Sequence, residues 1–352
     1  MRVAIVFHKN PCAHPVGIDL VRLRAIARGL MSRGVETEIV SPVECDRILD
    51  GFIPVRPLRA LREEGRYDVV KTSYHDSIML VEDFAGPIVS RIVRVVDERL
   101  PKRDEQVREK LLHCQSLIRS RSAALVLNNE ENRKRWHEMY GDALPTRIIP
   151  TGCPAVLPDA GGNPYPPGPP PILFLGSLAA PRMVHMLNAV ARQLRGSATV
   201  HLVGRNKARM YGGDRDCMLD QLIVDHGEKV EDEVWPYIMH AAVGLALATG
   251  IDPFDNDVSK IFNYLRGGLP VVSEHPIVNN WLVEQTGMGR VFGHGMITEL
   301  VASVHSLLDC PPELKTRMAA MRFMAEHHSW DRRVESYMEL FSLVLPNGPN
   351  RG

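Results

Sequence analysis

Short apolar segments and longer segments with helical periodicity alternate along most of this chain. Arg2–Phe7 is an apolar segment of strand length, and Ile18–Arg33 repeats apolar residues at helical spacing before Gly34. Val35–Val40 is again apolar. A strand, a helix closed by glycine and a second strand predict parallel pairing through a right-handed crossover. The same order recurs along the chain, which predicts an α/β protein with doubly wound parallel sheets.

The second half of the chain repeats this pattern after a proline-rich interruption. Residues 154–171 contain eight prolines and three glycines, which predicts a semi-rigid linker without helix or strand. The apolar segment Ile172–Leu175 and the amphipathic segment Arg182–Leu194 then restart the alternation of strand and helix. We therefore expect two Rossmann-like domains, residues 1–153 and 172–328, joined by the linker.

Polar residues follow two predicted strands of the first domain. Asp68–Thr72 leads into His75, and Ile92–Val96 leads into Asp97, with a short helix predicted over Ile78–Phe84 between them. Because open α/β sheets bind ligands at the carboxyl ends of their strands, His75 and Asp97 are candidate functional residues. The structural alternative for Asp97 is a helix cap or an ion pair with a nearby arginine. For His75 it is a hydrogen-bonded structural histidine.

One segment of the second domain combines a complete βαβ pattern with an unusual charge. Val243–Leu247 predicts a buried strand, and a polar loop with three aspartates separates it from a helix predicted over Val258–Arg266. Glycines end that helix, and Pro270–Val272 predicts the next buried strand. Lys260 in the first turn opposes the helix dipole, but it is well placed if a phosphate binds at the helix N-terminus.

This segment also carries a family resemblance. Residues 260–272, KIFNYLRGGLPVV, resemble the signature K-x-F-E-Y-L-A-x-G-x-P-V-V of sugar-nucleotide-dependent glycosyltransferases with the GT-B fold. Residues 328–331, HSWD, before a final helix are also typical of this family. The resemblance implies two doubly wound Rossmann-like domains facing a cleft, with the acceptor on the first domain and the donor on the second. It further implies that the terminal helix, residues 329–346, crosses back to the first domain.

In that family, the loop and helix around Lys260 hold the ribose and diphosphate of the donor. Many retaining members have two glutamates here, at positions where this chain has Asp255 and Asn263. Inverting relatives, such as xanthan-type glucuronosyltransferases, use a lysine at the position of Lys260. The resemblance therefore favours inversion. The donor contacts that it implies are Gly176, Arg182, Gly204, Arg205, Val230, Asp255, Ser259, Lys260 and Tyr264.

An inverting transfer needs a base for the acceptor hydroxyl and positive charge for the leaving diphosphate. Asp97 matches the aspartate proposed as the base in the glucuronosyltransferase-like relatives, and His75 is the second catalytic candidate. The first loop and helix, with His14, Gly17 and Asp19, are expected to contact the acceptor.

The composition limits the function further. The hydrophobic fraction of 45% and charged fraction of 24% are typical of a soluble globular protein, and a net charge of +0 gives no indication of a nucleic-acid surface. The motif G-x-G-x-x-G is absent, which disfavours NAD-type enzymes. The six cysteines are scattered without a CxxC pair, so we expect reduced thiols in a cytoplasmic protein. Residues 255–257 have the spacing of a DxD motif, but a solvated helix cap is favoured over a metal site.

We therefore expect a cytoplasmic, metal-independent enzyme that moves a sugar from a UDP- or GDP-sugar to an acceptor hydroxyl. The expected acceptor is a carbohydrate, a lipid-linked molecule or a small molecule. The enzyme would act in polysaccharide, glycolipid or natural-product glycosylation. The sugar nucleotide is a co-substrate, and no further cofactor or nucleic acid is expected. No apolar segment is long enough to span a membrane. Peripheral contact with the inner face of a membrane is an alternative to a purely cytoplasmic location. The oligomeric state stays open. The alternative functions are a sugar-nucleotide 2-epimerase of the same fold and a non-catalytic homologue that acts as a binding partner.

Overall fold

The computed structural model describes residues 1–13, 17–97, 105–208, 217–251 and 258–345. The chain divides into two compact units: the first unit is Met1–Thr151 with Trp330–Gly352, and the second unit is Gly152–Ser329. His14 and Asp255, which the sequence analysis assigned to the acceptor and donor sites, lie outside the described residues.

Both units are built from short, largely buried strands. In the first unit these are β1 (Arg2–Val6), β2 (Glu36–Ser41), β3 (Arg47–Leu49), β4 (Ile53–Pro57), β5 (Val69–Thr72), β6 (Ile88–Arg91), β7 (Ala124–Leu127) and β8 (Thr146–Ile148). In the second unit they are β9 (Pro171–Leu175), β10 (Thr199–Val203), β11 (Ile223–Asp225), β12 (Val243–Ala246), β13 (Val271–Glu274) and β14 (Gly289–Phe292). The central strands are largely apolar because apolar clusters cover both faces of each sheet, and the polar side chains of β5 and β6 lie towards their carboxyl ends.

The helices follow the same alternation with the strands. They are α1 (Ile18–Met31), α2 (Glu105–Arg121), α3 (Glu130–Tyr140), α4 (Pro181–Gln193), α5 (Trp235–His240), α6 (Lys260–Arg266), α7 (Asn280–Thr286), α8 (Ile297–Asp309), α9 (Leu314–His328) and α10 (Trp330–Val344). The last of these, α10, belongs to the first unit and packs against α1. None of the described helices is both long enough and apolar enough to cross a membrane.

The strand order places one switch point in each sheet. The eight-stranded sheet of the first unit has the order β3-β4-β2-β1-β5-β6-β7-β8, and only β3 and β4 pair antiparallel. The six-stranded sheet of the second unit has the order β11-β10-β9-β12-β13-β14 and is parallel. The order reverses between β1 and β5 and between β9 and β12, and open α/β sheets bind ligands at such points. The predicted α/β class with two doubly wound sheets is confirmed.

The segment after β6 differs from the prediction. The strand expected over Ile92–Val96 is not formed, because β6 ends just before it. Instead, the side-chain amide oxygens of Asn132 and Gln115 accept two backbone N–H groups of this segment, both at 2.7 Å. Only Ile92 still donates to a strand, at 3.0 Å to the Val126 carbonyl of β7, and the later N–H groups of Val95 and Val96 are satisfied by side chains instead. Asp97 therefore lies in an irregular segment and not directly at the end of a strand.

Several other elements were missed or were of another type. The edge strands β3 and β11 are partly exposed and only three residues long, so their sequences lack the apolar pattern by which a strand is predicted. The short helix predicted over Ile78–Phe84 is a 3-10 helix over His75–Leu80. This shift brings His75 into the first turn of that element.

The proline-rich segment, residues 154–171, packs onto the second unit. It has no helix, and β9 begins only at its last residue, as the composition predicts. Tyr165 is buried, and its hydroxyl donates to the carbonyl of Tyr237 at 2.7 Å. The Arg266 side chain donates to the carbonyls of the first two residues of the segment, at 2.8 and 2.6 Å. These contacts explain why the segment belongs to the second unit.

Tyr264 connects α6 to the centre of the second sheet. It is fully buried, and its hydroxyl oxygen accepts the backbone N–H of Leu175 at 2.8 Å. The same hydroxyl lies 3.3 Å from the carbonyl oxygens of Leu173 and Leu245, to which it donates. The ring packs on Gly244, where an added Cβ would lie 2.7 Å from a ring carbon. Tyr264 thus fixes α6 against β9 and β12.

We expect the substitution Tyr264→Phe to destabilise the second unit by about 1–3 kcal/mol, because it leaves a buried backbone N–H without its acceptor. Urea denaturation measures this change. The matched control is Tyr237→Phe. Among the described residues, the Tyr237 hydroxyl makes one long contact, 3.5 Å to His226, so this substitution should change the free energy of unfolding by less than about 0.5 kcal/mol. Equal effects of the two substitutions would contradict the anchoring role of Tyr264.

Candidate functional site

The switch point of the second sheet is lined by two closely packed glycine turns. Gly176 follows β9 and Gly204 follows β10, and a Cβ added to Gly204 would lie 2.0 Å from the Gly176 carbonyl oxygen. The N–H of Gly176 donates to Val203, and the N–H of Gly204 donates to Gly227, at 2.8 and 2.9 Å. No other residue type fits at Gly204 without moving the backbone. These contacts hold the backbones of the loops after β9, β10 and β11 close together at this edge of the sheet.

Lys260 lies at the same edge, as the first residue of α6. Its ammonium nitrogen is 4.2 Å from the centroid of the Phe174 ring, and its Cε lies beside Gly176. Desolvation of the ammonium lowers the pKa of Lys260 to about 7. The backbone just before it is fixed, because Val258 and Asn279 exchange two hydrogen bonds of 3.1 and 2.8 Å. A desolvated lysine beside glycine turns suits an anionic ligand.

Arg182, the second predicted cation, is already engaged by a buried carboxylate. Glu274 ends β13 with no exposed surface, and its two carboxylate oxygens accept both terminal nitrogens of Arg182. The backbone N–H groups of Ala248 and Gly295 donate to the same carboxylate at 2.8 and 2.9 Å. His294 Nδ1 lies 3.1 Å from it as well. One carboxylate therefore joins α4 to the loops that follow β12 and β14.

The sequence analysis did not single out Glu274. The signal was present, since an acidic residue at the end of a fully apolar strand has to find buried partners. What the sequence could not show is that its partner is Arg182, which lies 92 residues away. Arg182 consequently carries less uncompensated charge towards a ligand than Lys260 does.

The other predicted donor residues fall into different environments. Arg205 is exposed and lies 3.7 Å from Glu228, and Val230 is exposed at the start of a 3-10 turn. Ser259 is half-buried and immediately precedes α6. Tyr264 is part of the core, where its hydroxyl is taken up by strand backbone. The structure thus brings Gly176, Gly204 and Lys260 together, while Tyr264 supports the helix that carries Lys260.

Two histidines, His75 and His8, lie near the switch point of the first sheet, and an acidic residue lies beside His75. His75 Nε2 lies 2.9 Å from Asp76 Oδ1, and the Lys110 ammonium donates to Asp76 Oδ2 at 2.6 Å. Burial lowers the pKa of His75 to about 4, so its imidazole is neutral near pH 7. His8, which follows β1, stacks on Tyr74 with ring centroids 5.2 Å apart, and burial also lowers its pKa. Among the described residues, Nδ1 of His75 has no hydrogen-bond partner.

The remaining candidates of the first unit are held by arginines or form a turn. Asp97 is paired with the buried Arg135, whose terminal nitrogen lies 3.4 Å away. Asp19 is paired with Arg22 at 3.1 Å in the first turns of α1. Gly17 precedes α1 with a φ of 110°, a conformation that favours glycine. His75 and Asp19 therefore lie at the carboxyl edge of the first sheet, and Asp97 lies in the irregular segment beyond β6.

Comparison with solved structures identifies the fold. A sucrose-phosphate synthase from Thermosynechococcus elongatus superposes with a TM-score of 0.75 at 14% identity, over 97% of this chain and 98% of that chain. Anabaena HepE in complex with UDP-glucose gives 0.74 at 15% identity, over 97% and 100%. A glycosyltransferase from Rickettsia africae gives 0.70 at 12% identity, over 98% and 99%. The predicted GT-B fold is confirmed. No protein-family model matches the sequence, and no curated protein sequence matches it.

We expect Glu274→Gln to lower the free energy of unfolding by about 1–3 kcal/mol, because a neutral amide cannot compensate Arg182 or accept all four donors. Chemical denaturation of the purified protein measures the loss. Glu284→Gln is the matched control, since Glu284 is exposed on α7, and its effect should be within about 0.5 kcal/mol. A wild-type stability for Glu274→Gln would show that this carboxylate does not hold the loops together.

Proposed function

We propose that this protein transfers a glycosyl group from a nucleoside-diphosphate sugar to the hydroxyl of an acceptor, with the donor bound to the second unit and the acceptor to the first. The observation that carries the proposal is the position of Lys260. Its desolvated ammonium lies beside Gly176 at the switch point between β9 and β12. A leaving diphosphate needs positive charge that is fixed before the reaction, and Lys260 supplies it.

The solved structures support the same type of donor. One of them is Anabaena HepE with UDP-glucose, and a second complex of that protein contains UDP and glucose. Because this chain shares their fold over nearly its whole length, a uridine nucleotide is the first ligand to test, with a guanosine nucleotide as the alternative. Glycine turns at Gly176 and Gly204 would let the diphosphate approach the backbone closely.

The charges favour a metal-independent inverting reaction. The position that carries a second glutamate in many retaining relatives is Asn263, so the carboxylate characteristic of those enzymes is not present there. Lys260 and the backbone of the glycine turns would stabilise the diphosphate without a metal. The anomeric configuration of the product, read by NMR, decides between inversion and retention.

For the acceptor proton we propose His75 as the base, with Asp76 as its partner. The imidazole is neutral at pH 7, and the Asp76 carboxylate, 2.9 Å from Nε2, would stabilise the imidazolium that forms when the ring takes the proton. Asp97, the other candidate, is already engaged, because its carboxylate lies 3.4 Å from a terminal nitrogen of the buried Arg135.

Lys260→Met should weaken binding of UDP by about 10- to 100-fold, because a charged contact to the diphosphate is worth about 1.5–3 kcal/mol. Calorimetric titration measures the affinity. The pKa of Lys260 is about 7 in the free protein, and a bound diphosphate raises it. Binding therefore takes up a proton above pH 7, and the affinity of the wild type should fall as the pH rises from 7 to 9. Lys260→Met should lose this part of the pH dependence.

Lys315→Met, on the exposed surface of α9, is the matched control and should bind UDP like the wild type. Product analysis with UDP-glucose separates the alternatives: release of UDP only with an acceptor indicates a transferase, whereas consumption of the donor without an acceptor indicates an epimerase. If none of the UDP- or GDP-sugars binds, the proposed function is wrong.

His75→Gln should lower kcat by about 10²- to 10⁴-fold while leaving the affinity for the donor unchanged, because glutamine can still contact Asp76 but cannot take a proton. Single-turnover rates with saturating donor measure the effect. Asp97→Asn is the direct comparison and should lose less than about tenfold. The reverse result, a large loss for Asp97→Asn and a small one for His75→Gln, would assign the base to Asp97.

A further inference from the structure

A cluster of buried cationic side chains lies beneath the carboxyl edge of the first sheet. Lys71 on β5 is 1% exposed, and Arg91 at the end of β6 is completely buried. Arg22 on α1 and Arg333 on α10, each 7% exposed, come from the two helices that cover this face. The proposed transfer does not use any of these four side chains. Because Lys71 lies on β5, the cluster is next to the switch point between β1 and β5.

Lys71 finds little compensation for its charge among the described residues. Its ammonium makes one weak hydrogen bond, to the Thr72 carbonyl at 3.3 Å, and lies 4.8 Å from the centroid of the Tyr337 ring. Its charged neighbours are Arg22 and Arg91, and both repel a proton on it. Burial and these two guanidinium groups hold the pKa of Lys71 well below its usual range. Among the described residues, Lys71 forms no ion pair with a carboxylate.

The neighbouring arginines are fixed by contacts that orient them. Arg22 donates to Asp19 at 3.1 Å and to the Thr151 hydroxyl at 3.0 Å. Arg333 donates twice to the Thr151 carbonyl, both at 3.1 Å. These contacts hold two guanidinium groups in place around one residue at the edge of the unit.

Asp19 compensates Arg22, but the charge of Lys71 is costly without an anion of its own. A buried charge costs several kcal/mol unless it is paired, and like charges close together add to that cost. This face of the sheet, packed against the apolar sides of α1 and α10, would be more stable with leucine or methionine at position 71. A lysine that is surrounded by guanidinium groups and lies beside a ligand-binding edge is explained if an anion binds there. A group with two negative charges compensates such a cluster better than a carboxylate does.

We propose that Lys71, Arg22 and Arg91 bind the phosphate group of a phosphorylated ligand of the first unit. On the basis of the proposed function, this ligand is the acceptor, and the acceptor class is therefore sugar phosphates. The Lys71 amine takes up a proton when the phosphate binds. Arg333 is a positioning residue for Thr151, which in turn holds Arg22.

Sulfate is the probe that tests the site itself, because it carries two negative charges and does not titrate near pH 7. Sulfate should raise the melting temperature of the wild type relative to sodium chloride at the same ionic strength. Calorimetric titration in two buffers of different ionisation enthalpy should show proton uptake on binding. Since sulfate has no proton to exchange in this range, the proton is taken up by the protein.

Lys71→Met should fold, because it replaces a buried cation with an apolar side chain of similar length, and it should lose both the thermal response and the proton uptake. Lys134→Met, exposed on α3, is the matched control and should retain both. If Lys71→Met does not fold, proton uptake on sulfate binding to Lys260→Met remains a test, because the amine of Lys260 can no longer contribute to it. Absence of sulfate stabilisation in the wild type, or its persistence in Lys71→Met, overturns the proposal.

Glucose 6-phosphate and glucose, compared as ligands, test the acceptor class. The phosphorylated sugar should bind at least tenfold more tightly to the wild type, and this preference should vanish in Lys71→Met while the affinity for UDP stays unchanged. Equal binding of the two sugars overturns the assignment of a sugar phosphate as acceptor. If sulfate and glucose 6-phosphate bind but no sugar nucleotide does, the proposed transferase function is wrong and the proposed phosphate site is still supported.

Discussion

The buried carboxylate of Glu274 is the interaction on which the ligand-binding edge of the second unit depends. A carboxylate without exposed surface is tolerated only when its oxygens are fully paired. Here Arg182 and the backbone N–H groups of Ala248 and Gly295 complete that pairing. The pairing fixes α4 and the loops after β12 and β14 in one arrangement. Lys260 faces the glycine turns, and no carboxylate of the described residues pairs with it.

The two units use buried charge in opposite ways. In the second unit, the buried acid Glu274 meets its cation within the fold, so that the edge is rigid before a ligand arrives. In the first unit, Lys71 lies among guanidinium groups and forms no carboxylate ion pair within the described residues. A rigid edge suits a diphosphate that must be held during bond cleavage. A lysine without a carboxylate partner among the described residues suits a ligand that supplies an anion.

Some of the candidate site was predictable from sequence and some was not. Lys260 was found because a cation in the first turn of a helix contradicts the local electrostatics, and this signal is local. Tyr264 was assigned to the donor from its place in the motif, but its hydroxyl is taken up by three strand residues. Asp97 was expected at a strand end, yet amides from α2 and α3 replace that strand. Such partners come from distant parts of the chain, and they produce no periodic pattern in the sequence from which they could be predicted.

The sequence by itself determined most of the alternation of strands and helices, the restart of this pattern after the proline-rich segment, and the glycine turns beside the ligand-binding edges. These features follow from apolar periodicity and from glycine, which act over a few residues. The tertiary structure alone decided which charged groups are engaged. Arg182 is taken up by Glu274, whereas Lys71 is gathered with Arg22 and Arg91 from separate elements. The reason is that folding brings the partners of a charged group to it, and these partners lie far from that group in the sequence.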